Sequence, residues 1–216
     1  MYEFLPIIYN SSEGNEIIND YYYNKDKNNS NSLVVLFPGV NYSCEKPLLH
    51  YARKAAVIEG YDVLCVRYGY KLSKDDIGKE IIKTVSEEVF QAIKNCDNEK
   101  YNKLYFISKS IGGEVAGNIA DKMGYHHVKS LYLTPTPSTV QHIIKTDSYV
   151  IVGTKDKIFP EENIQFVKTY KNVKLTLIDN AQHSLEIDDN IEESIKSLSK
   201  VAGVFKEFLG EDKINN

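Results

Sequence analysis

The sequence predicts an α/β protein whose mostly parallel sheet is covered by helices on both faces. Apolar, β-branched runs such as "LVVLFPG" and "VKSLYLT" are typical of strands buried on both faces. Segments with helical periodicity alternate with these runs, which indicates right-handed βαβ crossovers. The length of 216 residues is within the range of one α/β domain. We therefore predict a single domain over residues 1–216, with N-terminal strands and a polar loop over 1–31 and the core over 33–210.

Eight segments are predicted to be strands. The first two, "FLPIIY" and "EIINDYYYN", are short and are joined by the turn-forming "NSSEGN". The Asn-rich "KDKNNSNS" (25–32) that follows lacks periodicity and is predicted to be a surface loop. The remaining strands are, in order, "LVVLFPG", "YDVLCVR", "KLYFIS", "VKSLYLT", "SYVIVG" and "VKLTLID".

The predicted helices lie between these strands. One carries Leu48 on its apolar side, and another spans Gly113 to Met123. A third, "PEENIQFVKTY", has Pro at its first helical position and two acids in its first turn, which favour a helix start. Two longer helices begin at the acidic pairs Asp75-Asp76 and Asp188-Asp189. Their apolar faces consist of Ile77, Ile81, Val85, Val89 and Ile93 in the first, and of Ile191, Ile195, Leu198, Ala202, Phe205 and Leu209 in the second.

The composition argues against several classes of partner. The formal net charge is −4 and Lys is mixed among Asp and Glu, so no basic stripe is present to bind a nucleic acid. No apolar run approaches the roughly 18 residues that span a bilayer, and the N-terminus lacks the pattern of a signal peptide. Three widely spaced cysteines, Cys44, Cys65 and Cys96, fit a reducing compartment. We predict a cytoplasmic protein that binds neither nucleic acid nor membrane.

Parallel strands determine where a functional site is expected. Their carboxyl ends lie along one edge of the sheet, and ligands bind in the crevice outside that edge. In "LYFISKSIGGEVAG" the strand ends at Ile107, and a helix begins after a few small residues. A nucleophile on such a turn needs small residues two positions before and two after it. Ser110 has Ser108 and Gly112 at these positions, whereas Ser108 would have the large Phe106, so Ser110 is the candidate nucleophile.

Two further segments after strands carry a candidate acid and a candidate base. Asp156 lies three residues past the strand that ends at Gly153, where a carboxylate would orient an imidazole and stabilise its protonated form. His183 follows the last strand, and a short loop would bring its ring over Ser110. The three residue types together are those of nucleophilic acyl transfer.

The segment "FPGVNYSC" supplies candidate groups around the nucleophile. Pro38-Gly39 ends the first long strand, and the N–H of Val40 is predicted to pair with that of Ile111 around a developing oxyanion. Several residues after strand ends are predicted to contact a substrate, although an amphipathic surface would explain the tyrosines equally well. They are Gly39, Tyr42, Tyr68 and Tyr70.

The order Ser110, Asp156, His183 resembles that of the α/β-hydrolase fold family, and the loops "GTKD" and "QHS" are similar to its acid and histidine turns. The likeness extends from about Leu33 to Leu209, and "HSL" at 183–185 is similar to the last motif of small, lidless hydrolases. One departure is "SKSIG", where the family has Gly-x-Ser-x-Gly. The resemblance implies a three-layer fold, and the short connection "PTPSTVQHIIKT" implies that it has no substantial lid domain.

The resemblance also implies a function. Ser110 would attack a small or exposed ester, His183 would take its proton, and Asp156 would hold the imidazole in the required tautomer, without a metal or organic cofactor. Thioesters and amides are alternative substrates. A second alternative is a catalytically weak or inactive binding module of the same fold, in which Ser108 has altered the turn. A nucleotide-binding protein is disfavoured because neither G-x-G-x-x-G nor G-x-x-x-x-G-K-[ST] occurs.

Other polar residues have simpler structural explanations. His142 also follows a strand and is a reserve base or substrate contact. Asp147 and Asp179 are reserve acids. His126-His127 precede a strand and lack the spacing of metal ligands. No histidine is placed to activate Cys44, which is predicted to be a small apolar residue.

Overall fold

The computed structural model describes residues 2–24, 31–70, 78–96 and 101–214. Within these residues the eight strands lie close to the predicted segments. They are β1 (Tyr2–Asn10), β2 (Glu16–Asn24), β3 (Ser32–Phe37), β4 (Asp62–Cys65), β5 (Lys103–Lys109), β6 (Val128–Leu133), β7 (Ser148–Gly153) and β8 (Val173–Ile178). The predicted polar loop after β2 lies outside the described residues as far as position 30.

Six α-helices are present in the described part of the chain. They are α1 (Pro47–Ile58), α2 (Lys79–Lys94), α3 (Gly112–Met123), α4 (Val140–Ile143), α5 (Glu161–Lys168) and α6 (Ile191–Ile214). The predicted start of α2 at Asp75-Asp76 lies outside the described residues. Pro160 is the N-cap of α5 rather than its first helical residue.

All eight strands form one sheet in the order β1-β2-β4-β3-β5-β6-β7-β8. The strands from β3 to β8 pair in parallel. The β1–β2 hairpin adds antiparallel pairs at one side of the sheet. This confirms the predicted, mostly parallel sheet. It also brings the loops that follow β3, β5, β7 and β8 to a single edge.

Helices cover both faces of this sheet, as the three-layer prediction requires. In β3, Val34 and Leu36 pack toward α1 and α6, whereas Val35 and Phe37 pack toward α2 and α3. Farther along the second face, Val150 of β7 packs in a cluster with α4 and α5. Burial on both faces is the reason why the parallel strands are continuous apolar runs in the sequence.

The start of α6 differs from the prediction. Ile191 and Ile195 belong to the apolar stripe of the sequence, but their exposed fractions are 80% and 62%. The first turns of α6 lie beside the loop 184–190 and line a cavity with it, so the sheet does not bury them. The cap also differs: Asn190 accepts the N–H of Glu193 on Oδ1 at 3.0 Å, whereas Asp189 lies in a left-handed turn with φ of 56°.

The connection between β6 and β7 is short, which agrees with the predicted lack of a substantial lid. It contains one 3₁₀ turn (Pro137–Thr139) and the single-turn helix α4. In the described parts of the chain, no helix combines the length and the apolar character needed to cross a bilayer.

Gly112, at the start of α3, lies so close to β3 that no other residue fits without movement. A Cβ added there would be 2.5 Å from the carbonyl oxygen of Pro38 and 2.7 Å from that of Phe37. We expect Gly112→Ala to lower the free energy of unfolding by about 2–3 kcal/mol, because α3 must move away from β3. Urea denaturation followed by circular dichroism measures this change.

Gly203→Ala is the matched control for that variant. A Cβ at Gly203 in α6 would have no atom within 4 Å, so this substitution is expected to raise the free energy of unfolding by about 0.5–1 kcal/mol. Similar effects of the two substitutions would contradict the close approach of α3 to β3.

Candidate active site

Ser110 occupies the sharp turn between β5 and α3. Its φ of 55° lies in the left-handed region, which residues other than glycine rarely adopt. The turn is held because the N–H of Ser110 donates to the carbonyl oxygen of Leu133 at 3.0 Å. Strained backbone of this kind occurs preferentially at functional sites. The turn presents Ser110 at the carboxyl edge of the sheet, half-buried.

Ser108, two residues earlier, lies inside β5 and is buried. Its Oγ donates to the carbonyl oxygen of Leu131 on β6 at 3.4 Å. Ser108 stands at the first glycine of Gly-x-Ser-x-Gly. Its hydroxyl is bonded within the sheet, and Ser110 has the left-handed conformation with Ser108 at this position.

The imidazole of His183 lies between Ser110 and Asp156. Its Nε2 is 2.9 Å from Oγ of Ser110. Its Nδ1 is 2.9 Å from Oδ2 and 3.1 Å from Oδ1 of Asp156. An ionised carboxylate only accepts hydrogen bonds, so Nδ1 carries the proton and Nε2 is left to accept the hydroxyl proton of Ser110. This is the tautomer that a general base needs.

The carboxylate of Asp156 is buried and firmly held. None of its side chain is exposed, whereas 25% of the His183 side chain is. Oδ1 accepts the N–H of Ile158 at 2.8 Å and that of Phe159 at 3.4 Å. Because both backbone amides bind Oδ1, they fix the orientation of the carboxylate. In this orientation Oδ2 is the oxygen nearer to Nδ1 of His183.

The loops that carry Asp156 and His183 are joined through their backbones. The N–H of Lys155 donates to the carbonyl oxygen of Ala181 at 2.9 Å. Gly153 allows this approach, since a Cβ there would be 2.1 Å from the same carbonyl oxygen. These contacts bring together an acid and a base that are 27 positions apart in the chain.

A tight turn after β3 lies against Ser110. Gly39 and Tyr42 exchange backbone hydrogen bonds of 3.1 and 3.2 Å. A Cβ at Gly39 would be 3.4 Å from Cβ of Ser110. Among the described residues, the N–H groups of Val40 and Ile111 donate to no protein acceptor, so both can donate to a bound oxygen.

A cavity of about 380 Å³ opens beside this turn. The four residues predicted to contact a substrate all line it, namely Gly39, Tyr42, Tyr68 and Tyr70. Tyr68 donates to the carbonyl oxygen of Pro38 at 2.9 Å, and the hydroxyl of Tyr70 is 2.8 Å from Oγ of Ser12. Charged side chains, including Arg67, also line the cavity.

A second cavity of about 640 Å³ shares Tyr42 with the first. It runs along residues 184–191, which follow His183 directly, toward the start of α6. Its apolar lining includes Leu48, Leu185, Ile187, Ile191, Ile195 and Leu198. Sequence reasoning missed this cavity because the helical pattern assigned Ile191 and Ile195 to the core.

The reserve base His142 lies away from Ser110. It is buried against α3, where its ring atoms are within 2.4 Å of the position that a Cβ of Gly117 would take. Its Nδ1 is 2.8 Å from the hydroxyl of Tyr125. Burial lowers the pKa of His142 to about 4, so the ring is neutral near pH 7.

Cys44 and the reserve acids Asp147 and Asp179 make no hydrogen bond with His183 in the described part of the chain. Cys44 is buried, and its thiol donates to the carbonyl oxygen of Leu36 at 3.7 Å. The hydrogen bond with Cys65, together with burial, raises the pKa of the Cys44 thiol well above its usual value, which makes it a poor nucleophile. Asp147 precedes β7, and Asp179 is exposed after β8.

His126 and His127 lie against each other before β6, with ring centroids 3.9 Å apart and ring planes tilted by 44°. They lie at the edge of the sheet opposite Ser110. The described residues contain no group of three or more His, Cys, Asp or Glu side chains placed to hold a metal ion.

Solved structures resemble this chain over nearly its whole length. The esterase PF2001 of Pyrococcus furiosus has a TM-score of 0.71 at 15% identity, over 97% of this chain and 91% of that one. Est1E of Butyrivibrio proteoclasticus with bound ferulic acid has a TM-score of 0.69 at 17% identity, over 96% and 98%. An α/β serine hydrolase homologue from Coxiella burnetii has a TM-score of 0.69 at 10% identity, over 94% and 96%. The chain therefore has the α/β-hydrolase fold.

Sequence similarity is confined to a shorter stretch. No protein-family model matches the chain. The chain is 42% identical over 50 residues to the proline iminopeptidase PfmaB of Pestalotiopsis fici. This stretch covers 23% of the chain and 18% of that protein.

Asp156→Asn tests the role of the carboxylate. The amide would donate to Nδ1, which places the proton of His183 on Nε2 and removes the acceptor for the Ser110 hydroxyl. We expect the rate at which a fluorophosphonate modifies Ser110 to fall by roughly 10³–10⁴-fold. Mass spectrometry of timed samples measures this rate.

Asp179→Asn is the control, since Asp179 is the reserve acid on the neighbouring loop. Its modification rate is expected to equal that of the unsubstituted protein. An equal loss in both variants would mean that Asp156 has no special role.

Proposed function

We propose that the protein is a serine hydrolase that cleaves small or exposed esters through an acyl-enzyme intermediate. The observation that carries this proposal is the unbroken hydrogen-bonded chain from Oγ of Ser110 through His183 to Asp156. A hydroxyl, an imidazole and a buried carboxylate in this order act as nucleophile, general base and orienting acid. The α/β-hydrolase fold is consistent with this assignment.

The first step acylates Ser110. Its Oγ bonds to the carbonyl carbon of the ester while its proton passes to Nε2 of His183. The carbonyl oxygen becomes an oxyanion, for which the N–H groups of Val40 and Ile111 are the proposed donors. Asp156 stabilises the imidazolium. The C–O bond to the alcohol then breaks, and the alcohol leaves with the proton from Nε2.

The second step releases the acid. His183 takes a proton from water as the water oxygen bonds to the acyl carbon, and the same two amides receive the second oxyanion. The bond to Oγ of Ser110 then breaks and Oγ regains its proton from Nε2. One ester and one water give one acid and one alcohol.

The short connection between β6 and β7 supports a small or exposed ester as substrate. The β6–β7 connection is short, and cavities of about 380 and 640 Å³ adjoin the site. Gly39, Tyr42, Tyr68 and Tyr70 are the proposed substrate contacts. Two structural relatives are consistent with this class of substrate: PF2001 is named an esterase, and Est1E has a carboxylic acid, ferulic acid, bound.

Amide hydrolysis is a second candidate, favoured by the match to a proline iminopeptidase. The same groups would act, with an amine taking the proton from His183. A non-catalytic binding module is a third reading of the fold. The hydrogen-bonded contact between His183 and Ser110 speaks against it.

Fluorophosphonate labelling tests the proposal. The unsubstituted protein is expected to gain one adduct on the peptide that contains Ser110, because a hydroxyl with a bonded base reacts with this probe. Ser110→Ala is expected to abolish the adduct, and Ser108→Ala is expected to retain it. Peptide mass spectrometry locates the adduct. No adduct, or an adduct on Ser108, would favour the binding module.

A panel of nitrophenyl esters and nitroanilides then separates the two hydrolytic candidates. Release of nitrophenol with little release of nitroaniline is expected for an esterase. Faster cleavage of an aminoacyl nitroanilide would instead select the peptidase candidate.

A further inference from the structure

Lys109 precedes Ser110 and is buried, with an exposed fraction of 3%. Lysine is almost never fully buried without a partner charge. Among the described carboxylates, none lies within ion-pair distance of its ammonium. Lys109 is therefore a buried cation without an ion pair, directly before the candidate nucleophile. Packing alone does not explain why a lysine stands there. Sequence reasoning missed it, although a lysine at the end of the run "LYFIS" was a signal.

The ammonium of Lys109 lies over the ring of Tyr42. Its Nζ lies 5.3 Å from the centroid of that ring, within the range of a cation–π interaction. Such an attraction is stronger when both groups are removed from water. Lys109 is buried and Tyr42 is partly buried, so part of the water is removed from this contact.

Tyr42 in turn holds the turn that bears the proposed oxyanion donor. Its backbone exchanges two hydrogen bonds with Gly39, and its hydroxyl accepts the N–H of Leu48 at 3.0 Å. Tyr42 therefore connects the turn to the start of α1. Val40 lies inside this turn, between Gly39 and Tyr42, and Gly39 lies against Ser110.

We propose that Lys109 is a positioning residue, whose ammonium holds the Tyr42 ring and thereby the Gly39–Tyr42 turn that aims the N–H of Val40 at the oxyanion. This inference rests on the proposed hydrolase function, because it concerns donors of the same site. In this role Lys109 acts through Tyr42 and not on the substrate or the reacting atoms.

The contact between Lys109 and the Tyr42 ring is sensitive to pH, because it depends on the charge of Lys109. The titratable groups that face it are Asp156, from the loop after β7, and Tyr42, which in turn faces Glu186. Burial lowers the pKa of Lys109 to about 8, and the nearby carboxylate of Asp156 opposes this shift. The ammonium is thus present below pH 8 and is lost as the pH rises through 8. A neutral amine has no cation–π attraction to the ring.

Lys109→Met and Lys109→Arg test the proposal with a nitrophenyl ester. For Lys109→Met we expect kcat at pH 7 to fall roughly tenfold with little change in KM, since a displaced donor weakens the transition state more than substrate binding. In the unsubstituted protein kcat should decline as the pH rises through about 8, and this decline should be absent in Lys109→Met. Lys109→Arg should restore kcat and keep it above pH 8, because arginine stays charged.

The thermal midpoint separates this role from a structural one. Burial disfavours the charged form of Lys109, so its replacement by Met should leave the midpoint of thermal unfolding at least as high as in the unsubstituted protein. Tyr42→Leu is the second variant: it retains the backbone bonds to Gly39, and it removes the ring together with the hydroxyl that accepts the N–H of Leu48. It should lower kcat to a similar extent, and combining it with Lys109→Met should add little.

Unchanged kcat and an unchanged decline near pH 8 in Lys109→Met would overturn the proposal. So would full additivity of the Lys109 and Tyr42 substitutions. If Lys109→Met does not fold, kcat and its pH dependence in Tyr42→Leu and Lys109→Arg test the proposal. Unchanged kcat in Tyr42→Leu, or a decline near pH 8 in Lys109→Arg, would then overturn it. Failure of the hydrolase assignment is distinguishable, because the unsubstituted protein would then gain no fluorophosphonate adduct on Ser110.

Discussion

The hydrogen bond that Nδ1–H of His183 donates to the carboxylate of Asp156 is the contact on which the candidate site depends. It directs Nε2 toward Ser110 and leaves that nitrogen without a proton. It forms because the loops after β7 and β8 are bonded to each other, with Gly153 allowing their close approach. Neighbouring parallel strands make these loops adjacent, so the chemistry of the site follows from the topology of the sheet.

Unfavourable features are concentrated around this contact. Ser110 adopts a left-handed backbone conformation, and Lys109 is a buried cation. Each costs free energy that the remaining structure must offset. The offset comes from strands such as β3, whose apolar side chains are buried on both faces. Residues that lower stability at one edge of an otherwise regular sheet are typical of a functional site.

Tyr42 links the features of this edge. It lines both cavities, closes the turn that contains Val40, and receives the ammonium of Lys109 on its ring. Both cavities therefore border the turn that contains Val40, the proposed oxyanion donor. The apolar start of α6, including Ile191, lines the larger cavity together with Tyr42. The exposed side chains of α6 therefore border the same cavity as Tyr42.

The sequence by itself determined the strands and longer helices, the covering of both sheet faces, and the proximity of Ser110, Asp156 and His183. It did so because two-sided burial produces continuous apolar runs, and because residues after parallel strands share one edge. Only the tertiary structure decided that Ile191 is exposed and that Lys109 contacts Tyr42. The apolar stripe of a helix indicates which face is apolar, but not how much of that face the sheet covers. The residue that a lysine contacts depends on packing between segments that are distant in the chain.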